Sequence, residues 1–247
     1  AFAELVGWWV AEGWIHSDEK AAELCQATGR NAVKCDQIQA VIDAVGLRHS
    51  VYDYDGRGVV KCRYRHWSIK SQELADWLRI HAGRLAAGKR LTSNIKDWSR
   101  PLLAAFLKGY MLGDGCYRRA VKRTPGKKTH KHRSPITDTF AKVNTTSYRL
   151  FEDLTEVCCK LGLTLHRGVD REAEGNYSHM YIGNISGQRF TQSDGHTGKA
   201  VVRYNGMLHC CTVPNGIVFV RRNGVPVLSG TPVQRKLISS DVDNVGR

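Results

Sequence analysis

The sequence lacks the features that mark secreted, membrane-spanning and zinc-binding chains. None of its eight cysteines belongs to a Cys-x-x-Cys pair, and four of them stand as direct neighbours, a spacing that suits neither a zinc site nor a disulfide framework. No apolar run approaches the roughly 18 residues that a membrane span needs, and no signal peptide is visible. Because the chain does not begin with Met, we expect its natural N-terminus to lie upstream. These absences favour an intracellular protein.

Acidic side chains are also scarce. The chain has 23 Asp and Glu against 37 Lys and Arg, which gives a formal net charge of +14. Such a surplus favours a polyanionic partner, most commonly nucleic acid; a basic protein without such a partner is the alternative. Acids are absent altogether from residues 117–134, which hold eight lysines and arginines. This segment is either an arm that follows a nucleic acid or a solubilising loop.

One nine-residue pattern occurs twice, at residues 5–13 (LVGWWVAEG) and residues 107–115 (LKGYMLGDG). Both copies read as an apolar helix that ends in one carboxylate followed by glycine, where a helix usually stops. Each has small residues four positions apart, and residues at that spacing share one face of a helix. Each copy therefore offers a flat strip on which another helix can pack closely.

Packing of the two strips on each other would bring Glu12 and Asp114 side by side at the ends of the helices. Two carboxylates next to two negative helix ends form an acidic spot that favours a divalent cation. Cutting a phosphodiester bond requires such a cation, and Mg²⁺ takes carboxylate and water ligands. The alternative is that these acids only end apolar helices. That explanation suits a single acid better than two acids at matched positions of a repeat.

The elements between the two patterns predict an internal repeat. Strands at 13–15 and 22–26, a helix capped by Asn31, strands at 49–54 and 59–67 and a helix at 71–81 follow the first copy. The second copy is followed by strands at 140–143, 165–169 and 177–182 around a helix at 147–161. The helix ends at Gly46 and Gly162 match at an offset of 116, whereas the nine-residue patterns match at 102. The second half therefore contains 14 additional residues between these points, which we assign to an insertion in the basic segment 117–134.

The basic residues of residues 59–67 alternate with apolar ones. A strand there would place Lys61, Arg63 and Arg65 on one face and Val60, Cys62 and Tyr64 on the other. Three cations on one strand face suit a sheet that lies along a phosphate backbone or in a major groove, and a solvated outer face is the alternative. The candidate nucleic-acid contacts are Lys61, Arg63, Arg65, Arg118, Arg119, Lys122, Arg123, Lys127, Lys128 and Arg167.

The two nine-residue stretches resemble the paired motifs of the LAGLIDADG homing endonucleases, in the form that carries both motifs in one chain. Residues 7–13 resemble the variant of intein-borne members, which use Glu as the first acid. The resemblance covers residues 1 to about 185. It implies an αββαββα fold in each half, a saddle of β-strands on duplex DNA, and cleavage of both strands across the minor groove with short 3′ overhangs.

The resemblance also implies a set of site residues. Glu12 and Asp114, with Ala11 and Gly113 beside them, would hold the essential Mg²⁺. Mn²⁺ is expected to substitute for it, and Ca²⁺ to support binding without cleavage. The cellular setting that the family implies is the cytoplasm or nucleoid of a microbial or phage-infected host, or an organelle.

The family places a lysine near each scissile phosphate, often in a Lys-x-Ile-Pro-like loop before the second motif. Lys89 begins such a loop, although Thr92 stands where proline is usual. Its implied role is to position or deprotonate water or to neutralise charge on the phosphate; an ordinary loop lysine is the alternative. The second lysine has two candidates, Lys199 and Lys142, of which Lys142 is the repeat partner of Gln26. Gln26 is expected to orient water or contact DNA.

Residues 200–231 resemble the C-terminal strands of an intein splicing domain, at 201–206, 211–215 and 219–224. An intein needs an N-terminal Cys or Ser nucleophile and a terminal Asn. This chain instead begins at Ala1, and Thr231 follows the last predicted strand. We therefore expect a β-rich remnant without splicing activity.

The sequence as a whole predicts an α+β protein of two pseudo-symmetric αββαββα units packed through their motif helices. The predicted boundaries are 1–97 and 98–185 for the two halves and 186–247 for the intein-like strands and tail. The predicted function is site-specific cleavage of double-stranded DNA by a monomer. An intron maturase or a non-cleaving DNA- or RNA-binding protein is the alternative on the same scaffold, and an active intein is a weaker third.

Overall fold

A computed structural model of the chain divides into two compact units, Ala1–Thr191 and Gln192–Arg247. It describes residues 1–29, 31–55, 62–117, 140–168, 170–175, 178–187, 203, 205–207, 211, 213–214, 216–222 and 225–230. Both nine-residue patterns lie in the first unit. Within these ranges, no helix combines the length and the apolar character that crossing a membrane requires.

The first half of the large unit has the predicted order of helix, two strands, helix, two strands and helix. Its elements are α1 (Phe2–Glu12), β1 (Gly13–Ile15), β2 (Ala22–Ala27), α2 (Ala32–Val45), β3 (His49–Tyr54), β4 (Tyr64–Ile69) and α3 (Gln72–His81). A 3₁₀ turn at Ala86–Gly88 and the short helix α4 (Ser93–Lys96) then lead to the second half.

The second half repeats this order as far as its second pair of strands. Its elements are α5 (Arg100–Gly113), β5 (Cys116–Tyr117), β6 (Phe140–Thr145), α6 (Tyr148–Lys160), β7 (Thr164–Arg167) and β8 (Tyr181–Ser186). A third helix is not observed in the described part of this half. The last strand begins at Tyr181 rather than at residue 177, where the sequence places it.

Each half contains one four-stranded antiparallel sheet. The strand order is β1-β2-β4-β3 in the first sheet and β5-β6-β8-β7 in the second. The helix ends at Gly46 and Gly162 both adopt the left-handed conformation, with φ of 75° and 74°. The matched sheets and helix ends confirm the α+β class and the internal repeat.

Helices α1 and α5 pack directly on each other at their glycines. A Cβ atom on Gly7 would lie 2.1 Å from the carbonyl oxygen of Phe106, and one on Gly109 would lie 2.2 Å from that of Glu4. The two contacts are related by the repeat, because each glycine meets the residue three positions before its counterpart. The backbones therefore touch where a larger residue would hold them apart.

The core surrounds this helix pair and reaches to both sheets. Its largest fully buried side chains include Trp8, Trp9, Trp67, Phe106 and Tyr110. Trp8 and Trp9 belong to the first nine-residue pattern, and Phe106 and Tyr110 lie next to or within the second. The patterns therefore contribute core residues as well as the two acids. The acid-bearing ends of α1 and α5 are in this way fixed by a rigid, buried scaffold.

Strand β4 corrects the predicted basic strand face. It begins at Tyr64, so Arg63 precedes the strand, and Lys61 lies outside the described residues. Arg65 alternates with Trp67, which is fully buried, and therefore lies on the core side of the sheet at its margin. The sequence had placed Arg65 on the open face and Tyr64 on the core face. Because Trp67 is buried, Arg65 lies on the core face and Tyr64 on the open face, opposite to the prediction.

The described part of the second unit contains one β-hairpin. Strands β9 (Ile217–Arg222) and β10 (Val225–Gly230) pair antiparallel along their full length. The described residues in the stretches 201–206 and 211–215 carry no strand, although the sequence predicts strands there. The intein-like character of this segment stays a prediction.

Candidate metal centre at the ends of the paired helices

The two predicted acids meet where α1 and α5 end. Helix α1 ends at Glu12, α5 ends at Gly113, and Asp114 follows directly; both carboxylates are half-buried. A Cβ on Gly113 would lie 2.4 Å from the Cβ of Ala11 and 3.1 Å from the Cγ of Glu12. The structure therefore brings Ala11, Glu12, Gly113 and Asp114 together, one acid from each half.

The environment of this pair disfavours two negative charges. Burial, together with the neighbouring charge of Glu12, raises the pKa of Asp114 to about 7. Burial also raises the pKa of Glu12, although a hydrogen bond from Gln26 and the charge of Lys34 oppose that shift. A cation between the carboxylates would favour their charged forms and offset this cost.

Gln26 fixes the orientation of the first carboxylate. Its Nε2 donates a hydrogen bond to Oε1 of Glu12 at 3.0 Å. Its own oxygen accepts hydrogen bonds from Nδ2 of Asn31 at 2.8 Å and from the amide of Ala27 at 2.9 Å. Asn31 stands at the N-cap position of α2 as predicted, but its side chain holds Gln26 instead of capping the helix.

Lys34 is a site residue that the sequence analysis missed. Its Nζ donates a hydrogen bond to the carbonyl oxygen of Gly113 at 3.1 Å, and its charge opposes the raised pKa values of Glu12 and Asp114. Lys34 lies in the first turn of α2, which has no acidic residue. A lone cation at that end opposes the helix dipole, and such a local conflict is the signal that could have identified it.

Lys89 reaches the acid pair from inside the protein. Its side chain is 2% exposed, its Nζ donates a hydrogen bond to the carbonyl oxygen of Trp9 at 3.0 Å, and it lies 3.1 Å above the centre of the Trp9 ring. Burial lowers the pKa of Lys89 well below its ordinary value, while the charge of Asp114 opposes the shift. The predicted loop lysine is therefore a buried neighbour of the site.

The second half of the protein holds the Lys89 loop in place. Oγ of Ser147 donates a hydrogen bond to the carbonyl oxygen of Lys89 at 2.6 Å. The amide of Leu91 donates to Oδ2 of Asp153 at 2.8 Å, and Lys96 bonds the other oxygen of that carboxylate at 3.2 Å. Asp153 is 3% exposed, so these bonds are shielded from water.

Lys142 is not the structural partner of Gln26. Trp14 pairs with Glu23 in the first sheet, and Cys116, which matches Trp14 at the offset of the two motifs, pairs with Lys142 in the second. Lys142 therefore occupies the position of Glu23. An irregularity in register beside Cys116 and the inserted segment shift the strand relative to the offset of 116 that the helices show.

The position of Gln26 is taken in the second half by Thr145, which is buried. The neighbouring side chain of Asn144 donates a hydrogen bond to the carbonyl oxygen of Asp114 at 3.4 Å, and Tyr110 donates to the carbonyl oxygen of Asn144 at 2.9 Å. Lys142 is exposed. The two acids thus have different surroundings. In the first half the side-chain amide of Gln26 donates a hydrogen bond to the carboxylate of Glu12, whereas in the second half the side chain of Asn144 contacts the main chain of Asp114.

Each predicted nucleic-acid contact among the described arginines has an acidic partner. The pairs are Arg63 with Asp55 at 3.0 Å, Arg65 with Asp53 at 2.7 Å, and Arg167 with Asp170. The Arg63–Asp55 pair is exposed on both sides and contributes little to stability, so a phosphate can replace its carboxylate at small cost. The arginines remain predicted contacts.

The open face of the first sheet carries aromatic rings. We call this set the aromatic face, and its members are Trp14, Tyr52, Tyr54, Tyr64 and His66. Tyr54 stacks on Tyr64 with ring centres 5.0 Å apart, and His66 stacks on Trp14 at 5.4 Å. Tyr52 and Tyr54 are 45% and 42% exposed. Exposed rings on a sheet suit stacking against nucleic-acid bases.

Several predicted residues lie outside the part of the chain that the structure describes. They are Lys61, Arg118, Arg119, Lys122, Arg123, Lys127, Lys128 and Lys199. Their roles stay predictions.

The donor set of the centre fits a small, hard cation. Within the described ranges, no three His, Cys, Asp or Glu side chains come together as a metal site. The centre therefore offers two carboxylates, Glu12 and Asp114, and the main-chain oxygens of the last helical turns. Mg²⁺ commonly binds through one or two carboxylates and keeps several waters, whereas structural zinc requires four protein ligands, mostly sulfur and nitrogen.

Among curated proteins, the chain is similar to a DNA polymerase subunit. No protein-family model matches the chain. The chain is 25% identical over 224 residues to the DNA polymerase II large subunit of Thermococcus kodakarensis. That match covers 89% of this chain but only 12% of the polymerase subunit.

Among solved structures, the chain is similar to the homing endonuclease I-DmoI. The complex of I-DmoI with DNA and Mn aligns with a TM-score of 0.44 and 14% identity over 74% of this chain and 88% of that one. The complex with DNA and Ca gives the same TM-score and identity, over 74% and 81% of the two chains. Mesophilic variants of I-DmoI align at a TM-score of 0.43 and 15% identity. Binding of DNA and metal is a property of those proteins.

Proposed function

We propose that this chain is a site-specific double-strand DNA endonuclease of the two-motif LAGLIDADG type that depends on a divalent metal ion. The observation that carries the proposal is the meeting of Glu12 and Asp114, one from each repeated half, at the ends of two helices in backbone contact. The strands of duplex DNA are related by local two-fold axes. A pseudo-two-fold protein with one acid per half suits cutting both strands.

The residues present define which groups would hold the ion. Glu12 and Asp114 would hold it through their carboxylates, with the carbonyl of Gly113 beside them. When bound, Mg²⁺ lowers the pKa of water and stabilises the leaving oxygen of a phosphodiester. Gln26 keeps the Glu12 carboxylate in one orientation through its 3.0 Å hydrogen bond, so this ligand needs little rearrangement to bind.

Lys89 acts on this centre through its charge and through α1. Its hydrogen bond to Trp9 holds the last turn of the helix that carries Glu12. In its protonated form, Lys89 opposes the raised pKa of Asp114 and so favours the ionised carboxylate that a cation requires. The hydrogen bond that Ser147 donates to Lys89 and the one that Asp153 accepts from Leu91 make this position depend on both halves being folded.

The DNA-binding surface that we propose comprises the two sheets and the basic segment. The net charge of +14 supports binding to a polyanion. Exposed Lys142 on the second sheet and the paired arginines Arg63, Arg65 and Arg167 are its candidate phosphate contacts in the described structure. Binding as a monomer and descent from an intein-associated lineage belong to the same proposal.

A cleavage assay tests the proposal. The DNA polymerase II large-subunit gene of Thermococcus kodakarensis, with the segment that matches this chain deleted, is one defined substrate, and a library of partly randomised long duplexes is the second. We expect both strands to be cut at one site in Mg²⁺ and not in EDTA. Absence of cutting of both substrates in Mg²⁺ and Mn²⁺ would overturn the proposal.

The aromatic face supports a second candidate function, binding of unpaired bases as an RNA-binding maturase would require. Stacking on exposed aromatic rings contributes about 1–3 kcal/mol per base. Binding of single-stranded RNA that survives Glu12→Gln but weakens at least tenfold in Tyr54→Ala, with Tyr54→Phe unchanged, would support this candidate. Equal RNA binding by all three variants would exclude the aromatic face from it.

A further inference from the structure

The end of α5 is occupied by a charged side chain from the first half. Nζ of Lys34 donates a 3.1 Å hydrogen bond to the carbonyl oxygen of Gly113, directly before Asp114. The side chain is partly buried and reaches there from α2, which is remote in sequence. Gly113 also packs against α1, since a Cβ at this position would lie 3.1 Å from the Cγ of Glu12.

The centre contains as many lysines as acids. Lys89 bonds the carbonyl oxygen of Trp9 near the end of α1, and Lys34 bonds that of Gly113 at the end of α5. Each lysine thus caps one negative helix end, and the charges of both act on Asp114. The two lysines therefore oppose the raised pKa of Asp114 but compensate the two acids only in part.

Lys34 has no counterpart in the second half. The helix ends at Gly46 and Gly162 match α2 to α6 at an offset of 116, so Leu150 stands at the position of Lys34. Leu150 is 1% exposed and belongs to the core. The lysine is therefore a one-sided addition to a repeated scaffold, and helix packing alone does not require it.

We propose that Lys34 is an internal counter-cation of the acid pair, which holds the Gly113 carbonyl in the metal-free protein and competes with a divalent cation for this end of the site. The inference rests on the metal centre of the proposed function. It makes Lys34 a positioning residue whose removal strengthens metal binding. A residue that only supported the fold would weaken metal binding or leave it unchanged when removed.

The test is a titration of the intact chain with Mn²⁺, without DNA, followed by the paramagnetic resonance signal of the free ion. Lys34→Met removes the charge and keeps much of the side-chain volume. Lys70→Met is the matched control, because Lys70 is exposed and its loss changes the net charge equally. We expect Lys34→Met to bind Mn²⁺ about tenfold more tightly than both the wild type and Lys70→Met. Lys34→Arg, which keeps the charge, should bind close to wild type.

The outcomes separate this inference from the proposed function. If wild type binds one Mn²⁺ that Glu12→Gln abolishes, but Lys34→Met binds it no more tightly than Lys70→Met does, the metal centre stands and the role of Lys34 is wrong. If neither wild type nor Lys34→Met binds Mn²⁺, both the metal centre and the role of Lys34 are wrong. Should Lys34→Met fail to fold, Lys34→Gln is titrated against the same control.

Discussion

At the scale of single residues, the acid pair costs stability for as long as no cation is bound. Two carboxylates are half-buried at helix ends whose dipoles disfavour negative charge, and the lysines beside them offset only part of this cost. Binding sites commonly keep such unfavourable arrangements, because the ligand supplies the missing partner.

This arrangement predicts that the contribution of Asp114 to the stability of the metal-free protein falls as pH rises. The pKa of Asp114 is about 7 in the folded protein, above its ordinary value of 3.8. Because its pKa is raised in the folded protein, Asp114 contributes most to stability below about pH 4, and this contribution is lost as pH rises to about 7. The loss is at most about 4 kcal/mol, at about 1.4 kcal/mol for each pKa unit.

Urea unfolding in EDTA between pH 4 and pH 8 measures this effect. Asp114→Asn should lose less stability than the wild type between pH 4 and pH 7, whereas Asp36→Asn, at an exposed position in α2, should lose as much as the wild type. Parallel pH profiles for wild type and Asp114→Asn would contradict the burial of a repelled carboxylate.

Sequence alone identified some of the site residues and missed others for definite reasons. Glu12 and Asp114 stand out because they recur in a repeated pattern, and Lys89 because it precedes the second copy. Lys34 has no repeat partner, so only its conflict with the helix dipole marks it. Lys142 was wrongly matched to Gln26 because the offset of 116 holds for the helices but not for this strand, whose register shifts.

At the scale of secondary-structure elements, the packing of α1 on α5 determines where the acids meet. The helices approach so closely that the Gly7 and Gly109 positions admit no side chain without backbone displacement. Any change that separates the helices also separates Glu12 from Asp114, because each acid follows at the end of its helix. Stability and the geometry of the centre are therefore linked.

Gly7→Ala is expected to destabilise the protein by about 3 kcal/mol or more, since the new Cβ would meet backbone that cannot move without displacing a helix. Gly29→Ala is the control, because no atom lies within 4 Å of a Cβ at that position. Thermal and urea unfolding compare the two. Equal stability of both variants would show that the helices are not in backbone contact.

Helix α6 of the second half positions the Lys89 loop of the first. Asp153→Ala leaves the Leu91 amide without its buried acceptor, whereas Lys96 keeps its ion pair with Glu156 at 2.8 Å, so the change should cost about 1–3 kcal/mol. Hydrogen exchange at Leu91 should also become faster. Asp153→Asn keeps one oxygen for Leu91 and should lose less. Unchanged exchange in Asp153→Ala would mean that the loop is held by other contacts.

Element order was predictable from periodicity, but strand faces were not. The alternation of residues 59–67 fits two opposite faces equally well, and the choice depends on which residues the core buries. Trp67 decides it, because its burial places Arg65 on the core side and leaves Tyr64 and His66 on the aromatic face. Tertiary packing of this kind is not visible in a local pattern.

At the scale of the whole molecule, the distribution of charge predicts how DNA binding responds to salt. Each neutralised phosphate releases counterions, so the logarithm of the affinity should fall with the logarithm of salt concentration with a slope steeper than about −4. Replacing the eight lysines and arginines of residues 117–134 by Gln should flatten this slope by several units if the segment is an arm on DNA. An unchanged slope would identify it as a solubilising loop.

The repeat gives the molecule one acid per half, and we propose that both acids bind metal at one place. Fe²⁺ in place of Mg²⁺, with ascorbate and peroxide, cleaves the main chain close to the bound ion, and mass spectrometry locates the breaks. We predict breaks near residues 12 and 114 that excess Mg²⁺ suppresses and that Glu12→Gln abolishes. Breaks confined to other segments, or breaks at these positions that persist in Glu12→Gln, would show that the two acids do not bind metal together.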